Sequence, residues 1–232
     1  MTNDNNNKGN SPKSSHIWFT SDCHYNHRNI LTYCSRPFQD VHEMNANIIK
    51  QHNKVVKPDD IVYNLGDFSF QSVKGAVEVL KQLNGRHRFI RGNHDEWLFD
   101  DDKKGVMAIR MVHDELLRQG STKEKVEWIK DYYEFKDNGI LYCLMHFPLY
   151  TWHHAYKNNS INLYGHCHST IEHKIKGRQM DVGVDNAYKI LGEYRPFSIN
   201  EITNILLNRD IVCPEMEDII ANPWKKDDSI VF

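Results

Sequence analysis

The chain has no excess of either charge. Its 29 lysines and arginines nearly balance 31 aspartates and glutamates, a formal net charge of −2 over 232 residues. A protein that grips long nucleic acid normally carries a basic face, and none is visible here. Long apolar runs are missing too. None approaches the roughly 18 residues that a membrane span needs. Cysteine is scarce and odd in number: Cys23, Cys34, Cys143, Cys167 and Cys213, with no CxxC. A disulfide framework is therefore disfavoured and a reducing compartment fits better. There is no internal repeat and no domain linker. The opening "MTNDNNNKGNSPKSS" lacks the apolar segment of a signal peptide. These absences predict a cytoplasmic protein with a disordered tail over residues 1–15 and a single domain over 16–232.

What is present begins with an alternation of apolar runs and helical stretches. "HIWFTSD" reads as a buried strand ending at Asp22, "DIVYNLGD" as a second and "HRFIRGNHD" as a third. Between them, residues 27–34, about 42–53 and "SVKGAVEVLKQL" have helical spacing, the last with Val73, Val77, Leu80 and Leu83 in one stripe. This is the pattern of a mainly parallel sheet. Residues 98–130 are charged and less regular and read as a helical insertion. Strands follow in "DYYEFK", "ILYCLMHF", "SINLYGH", "IEHKIK" and "QMDVGVD". The Asn138-Gly139 pair between the first two is a hairpin signal. "SINEITNILLNR" reads as a helix capped by Ser198, with Glu201 completing a capping box. The sum is an α/β chain with two packed sheets flanked by helices.

Histidine is abundant, at 14 residues, and several stand beside glycine or aspartate just past an apolar run. Asp22 and His24 end the first run. Gly66-Asp67 ends the second. Gly92-Asn93-His94-Asp95 ends the third. His146 closes "LYCLMHF", and His166 and His168 lie in "LYGHCHS". Residues i and i+2 of a strand share a face, so His166 and His168 are expected to project together. Functional groups in such sheets gather beyond the carboxyl ends of the strands. Two aspartates, one asparagine and four histidines are too many donors for one tetrahedral ion and suit two ions sharing a bridge. Oxygen and imidazole without thiolate favour manganese, iron or zinc.

In order, these blocks are "DCH" at 22–24, "GD" at 66–67, "GNHD" at 92–95, "H" at His146 and "GHCH" at 165–168. The arrangement resembles the calcineurin-like metallophosphoesterases, with a looser likeness in "MDVGVDN" and "YRPFSINEI". The resemblance implies a four-layer αββα sandwich of two mixed β-sheets flanked by helices. It also implies two divalent ions, manganese favoured over iron, zinc or nickel. One ion would take Asp22, His24 and His168, the other Asn93, His146 and His166, with Asp67 between them. His94 would be a general acid or a phosphate contact. A metal-bound hydroxide would attack the phosphorus of a phosphate ester, a phosphodiester of a nucleotide, cyclic nucleotide or other small molecule being preferred. A phosphomonoesterase or phosphoprotein phosphatase is the alternative, weakened by "GDFSFQS" where an arginine-bearing "GDxxDRG" would stand. A non-catalytic scaffold is a third, weakened by the complete donor set. Relatives often carry an Asp or His three residues after the bridging aspartate to orient the catalytic histidine; here that residue is Phe70, leaving Asp95 or a carbonyl to serve.

Other residues have two readings each. His27 is balanced between substrate contact and helix surface. Arg28 is a phosphate contact or an exposed helix residue. His153 and His154 could reach substrate or form a solvated pair on a loop. Cys23 and Cys167, each between two donors, are expected to turn away into the core. Asp181 and Asp185 are read as turn residues.

Overall fold

The computed structural model describes residues 16–70, 72–96, 106–121 and 125–211. The expected disordered tail, and residues 98–105 and 122–124 of the expected insertion, lie outside these.

Two mixed sheets form the body. The first has strand order β4-β3-β2-β1-β9, built from β1 (Ile17–Thr20), β2 (Ile61–Asn64), β3 (Arg86–Ile90), β4 (Val126–Lys130) and β9 (Phe197–Ser198). β1 to β4 run parallel and β9 is antiparallel to β1. The second has order β5-β6-β7-β8, from β5 (Tyr132–Asp137), β6 (Ile140–Met145), β7 (Ser160–Tyr164) and β8 (Gln179–Asp181). β5 pairs antiparallel with β6, and β6, β7 and β8 are parallel. Among the described residues six helices accompany them: α1 (Ile30–Tyr33), α2 (Val41–Val55), α3 (Val73–Leu80), α4 (Val106–Arg118), α5 (Val184–Leu191) and α6 (Ile199–Leu206). This is the expected sandwich of two mixed sheets with helices.

The inner faces of the sheets meet through aromatic rings. Phe19 of β1 lies 5.9 Å from Tyr142 of β6, and Tyr63 of β2 stacks at 4.9 Å on Phe135 of β5. Leu65, Ile90, Leu144, Ile161 and Leu163 complete this layer. A second cluster, with Met44, Ile48, Val77, Leu80, Phe89, Val112 and Leu116, packs helices α2, α3 and α4 on the outer face of the first sheet. Trp152 and Ala155 cover Leu141 and Cys143 of β6 from the other side.

Local signals behave as written. Asn138 and Gly139 both take positive φ, 46° and 79°, as a two-residue hairpin turn requires. The Ser198 hydroxyl accepts from Glu201 N–H and the Glu201 carboxylate accepts from Ser198 N–H, completing the capping box. Two expectations need correcting. The stretch read as a helical insertion ends in β4, an edge strand of the first sheet, because "VEWIK" pairs parallel with β3, across a register shift at His87/Arg88, with Val126 and Ile129 buried. "IEHKIK" is not a strand but a series of turns; β8 already occupies the edge beside β7. No helix among the described residues is long and apolar enough to cross a membrane.

Candidate metal centre

The loops that leave β1, β2, β3, β6 and β7 converge, and all seven expected donors stand on them. The loops are tied by backbone bonds. Asp22 N–H donates to the Gly66 carbonyl, His24 N–H to Asp67 and Tyr25 N–H to Phe68, each at 2.9 Å, and Gly165 N–H donates to His146 at 2.9 Å. Close approach also demands small residues. A Cβ on Gly92 would run into the Asp67 carboxylate, and one on Gly165 into Ser21 and Asp22. Five of the seven donors are held at positive φ: Asp22 at 54°, His24 at 50°, Asp67 at 53°, His166 at 68° and His168 at 46°. Such backbone costs of order 1–3 kcal/mol per residue and persists at functional sites where the surroundings impose it.

The donors form two groups. In one, Asp22, His24 and His168 place ligand atoms within 4.8 Å of one another; in the other, Asp67, His146 and His166 do so. Asp67 lies between the groups: its Oδ2 is 3.5 Å from His24 Nε2 and 3.5 Å from His146 Nε2. Asn93 Oδ1 joins the second group, 3.1 Å from His146 Nε2 and 2.9 Å from His166 Nδ1. His166 and His168 thus serve different groups. β7 ends at Tyr164, and the left-handed turn at 165–168 removes the strand alternation that would have aimed both side chains one way.

Three of the four imidazoles are held by their other nitrogen. His146 Nδ1 meets the Leu65 carbonyl at 2.6 Å, His168 Nδ1 meets Asp185 Oδ2 at 2.7 Å, and His24 Nδ1 meets His27 Nδ1 at 3.1 Å. Partners of this kind set the tautomer of a metal-binding histidine. Asp185 is gripped by Nε and Nη2 of the Arg36 guanidinium, each at 2.8 Å, and Arg36 donates again to the carbonyls of Asp22 and Cys23. The expectation for Asp185 is therefore corrected: it stands in the first turn of α5 as a support for His168. Asp181, the last residue of β8, accepts from Ser169 and Gly183 N–H and does shape the turn after it. Asp95, wholly buried, accepts from the N–H groups of Asp67, Phe68 and Gly92 and so joins two loops.

The electrostatics fit a cation site. Burial pushes the Asp22 carboxyl up from its ordinary value. Burial also lowers His24 far below the ordinary histidine value, despite Asp67, leaving the neutral imidazole that a metal requires. Burial opposes charge on His146 as well, but there the Asp67 hydrogen bond and the charges of Asp22 and Asp67 prevail and raise it to about 9. The decisive atom is His24 Nε2. It is buried, aimed at both aspartates, and without a hydrogen-bond partner. Buried polar nitrogens are nearly always satisfied, so this one fits a ligand bound between Asp22 and Asp67. The residues present therefore suit two divalent ions.

The remaining expected residues scatter. His94 is exposed at the mouth, its ring 5.6 Å from that of His24, while its N–H donates to Asp67 Oδ1 at 2.8 Å. His27 touches His24 and stacks on Phe70 at 4.0 Å, so Phe70 supports a neighbour of the centre. Arg28 is exposed on the loop after His27. His153 and His154 do not reach the centre. The His153 carbonyl accepts from Ser160 at the start of β7, the opposite end of that strand from His166, and its ring bonds Glu134. Cys23 is core, as expected, but Cys167 is half-buried and lines a cleft beside the centre. Arg36 and the metal-side role of Asp185 had no local signal; the two are 149 positions apart.

A fold of two mixed sheets with this donor set at the strand ends defines a calcineurin-like phosphoesterase. The chain belongs to that family, whose model matches residues 15–170. It is 32% identical over 188 residues to the gene 66 protein of Mycobacterium phage L5, a match that covers 74% of this chain and 87% of that one. It is 53% identical over 83 residues to an uncharacterized protein of Methanocaldococcus jannaschii, covering 35% of this chain and only about half, 47%, of that relative. Among solved structures, a protein of unknown function from Aquifex aeolicus superposes with a TM-score of 0.57 at 24% identity, covering 83% of this chain and all of that one. This last likeness concerns the fold.

Proposed function

We propose that the protein is a dinuclear metal-dependent phosphoesterase that hydrolyses a phosphodiester of a nucleotide or other small molecule. The observation that carries this reading is the position of Asp67 Oδ2, at 3.5 Å from a histidine of each donor group. Asp22, His24 and His168 would hold one ion, Asn93, His146 and His166 the other, and Asp67 both. When bound, such a pair polarises the phosphate oxygens and makes a nucleophile available from water at neutral pH.

The chain's own residues supply the rest. Leu65, Asp185 and His27 fix the imidazoles so that the ligand nitrogens already face inward. Asn93 contributes a neutral oxygen, which limits negative charge facing an anionic substrate. His94, exposed beside His24, would give a ring proton to the departing oxygen. The charge balance supports a diester over a monoester. Two arginines near the centre are engaged with carboxylates, Arg36 with Asp185 at 2.8 Å and Arg91 with Asp131 at 2.7 Å, and Arg28 is exposed after His27. A diester carries one negative charge less than a fully ionised monoester and needs less cationic help.

The test is turnover by manganese-loaded protein of bis-p-nitrophenyl phosphate and p-nitrophenyl phosphate, followed by a panel of dinucleotides and cyclic nucleotides. Preference for the diesters, abolished by chelator, is expected. Preference for the monoester would overturn the diesterase assignment.

A further inference from the structure

Two of the donors, His166 and His168, border a cleft of about 630 Å³ bounded by α1, α5 and the 165–170 turn. That volume is in the range of sites for small molecules. Its walls are unusual in offering flat rings. Tyr33, from the last position of α1, is 72% exposed; it meets His27 edge-on at 6.2 Å, which leaves a ring face free. Tyr188, from α5, has one face covered by Tyr194 at 4.5 Å and 12°, yet is 43% exposed. Tyr194 is in turn packed on Phe38 at 5.2 Å, so this wall is anchored. Ile30 and the polar residues Cys34, Ser35, Thr170 and Lys189 line more of it. The Lys189 ammonium is tied to the Ser169 carbonyl and the Thr170 hydroxyl to the Cys167 carbonyl.

We propose that this cleft is a nucleobase subsite, in which Tyr33 and Tyr188 stack on the base of a nucleotide whose phosphate sits at the donor groups. The proposal rests on the phosphoesterase reading above and adds the class of substituent. Three features select a base. The cleft is continuous with His166 and His168, so a group attached to the phosphate enters it directly. Two aromatic faces favour a planar ring over a sugar. The walls also carry hydrogen-bonding groups on Ser35, Thr170 and Lys189, which suit the polar edge of a base better than an acyl chain. Every base has a π-face, so stacking of this kind discriminates weakly among the four. Tyr33 and Tyr188 are specificity residues that touch the substituent, not the reacting atoms.

The experiment is calorimetric binding of adenosine 5′-monophosphate and ribose 5-phosphate to the manganese-loaded full chain. The wild type should bind the nucleotide roughly 10-fold or more tightly than the sugar phosphate, the scale of base–aromatic stacking. In Tyr33→Ala/Tyr188→Ala that ratio should fall towards one, and in Tyr33→Phe, which keeps the ring, it should persist. Tyr33→Ala alone, at an exposed position, should lower the ratio even if the double variant folds poorly. Saturation-transfer NMR should show the base protons closest to the protein. Equal affinity for the two ligands, or an unchanged ratio in the alanine variants, would overturn the subsite and leave the phosphoesterase reading intact. Failure to bind either phosphate would overturn both.

Discussion

Asp67 is the residue on which both donor groups depend. Its Oδ2 faces His24 and His146, its Oδ1 is held by the His94 N–H, and its φ of 53° is imposed by the loop. His146 keeps its carboxyl low, at about 2, against the effect of burial. Asp67→Asn removes the shared charge, whereas Asn93→Ala removes one neutral donor. At saturating Mn²⁺ the first variant is expected to retain far less activity than the second; comparable residual kcat values would contradict these roles. His94 is tested by the leaving group. Nitrophenolate departs without a proton, but a sugar alkoxide needs one. His94→Ala should therefore cut kcat/KM for a nucleotide diester by about 10²–10⁴-fold, the usual range for a general acid, and for bis-p-nitrophenyl phosphate much less. Equal losses on both substrates would make His94 an electrostatic contact only.

At the scale of elements, what could be read from the chain was what is local. The Asn138-Gly139 turn and the Ser198–Glu201 box are set within a few residues, and both form as written. The donor blocks could be read because each follows its own apolar strand. What escaped depends on tertiary pairing: β4, which needed β3 as a partner, and the Arg36–Asp185–His168 chain, which joins α5 to a loop 149 residues earlier. The left-handed turn at 165–168 escaped because strand alternation was extended past the end of β7. Another tertiary pairing makes a prediction. His52 of α2 and His87 of β3 stack at 5.7 Å, both buried. Burial pushes His52 down to about 4 and His87 also well down. Unfolded, each binds a proton near pH 6.5. Between that value and the folded value the unfolded chain holds more protons, so stability falls as pH drops through the window from about 6.5 to 4. His52→Gln, which keeps a donor for the Asn84 carbonyl, should destabilise less, relative to wild type, at pH 5 than at pH 7.5. Thermal unfolding at the two values measures this, and a difference that does not change with pH would contradict it.

At the scale of the whole molecule, the two sheets act as a frame that brings five loop ends to one place. The aromatic layer between Phe19, Tyr63, Phe135 and Tyr142 fixes the sheets against each other, and the glycine contacts and Asp95 lock the loops on top. Such a frame holds the donors in place before any ion arrives, so metal should bind the folded chain and stabilise it by mass action, about 2.7 kcal/mol when free metal is 100-fold above its dissociation constant. The central claim is that seven donors, one of them a shared carboxylate, make a site for two ions. Its most direct test is calorimetric titration of metal-stripped protein with Mn²⁺, with elemental analysis of the saturated product. The expected result is two ions per chain in the wild type, and loss of at least one in Asp67→Asn. Saturation of the wild type at one ion per chain would contradict the account.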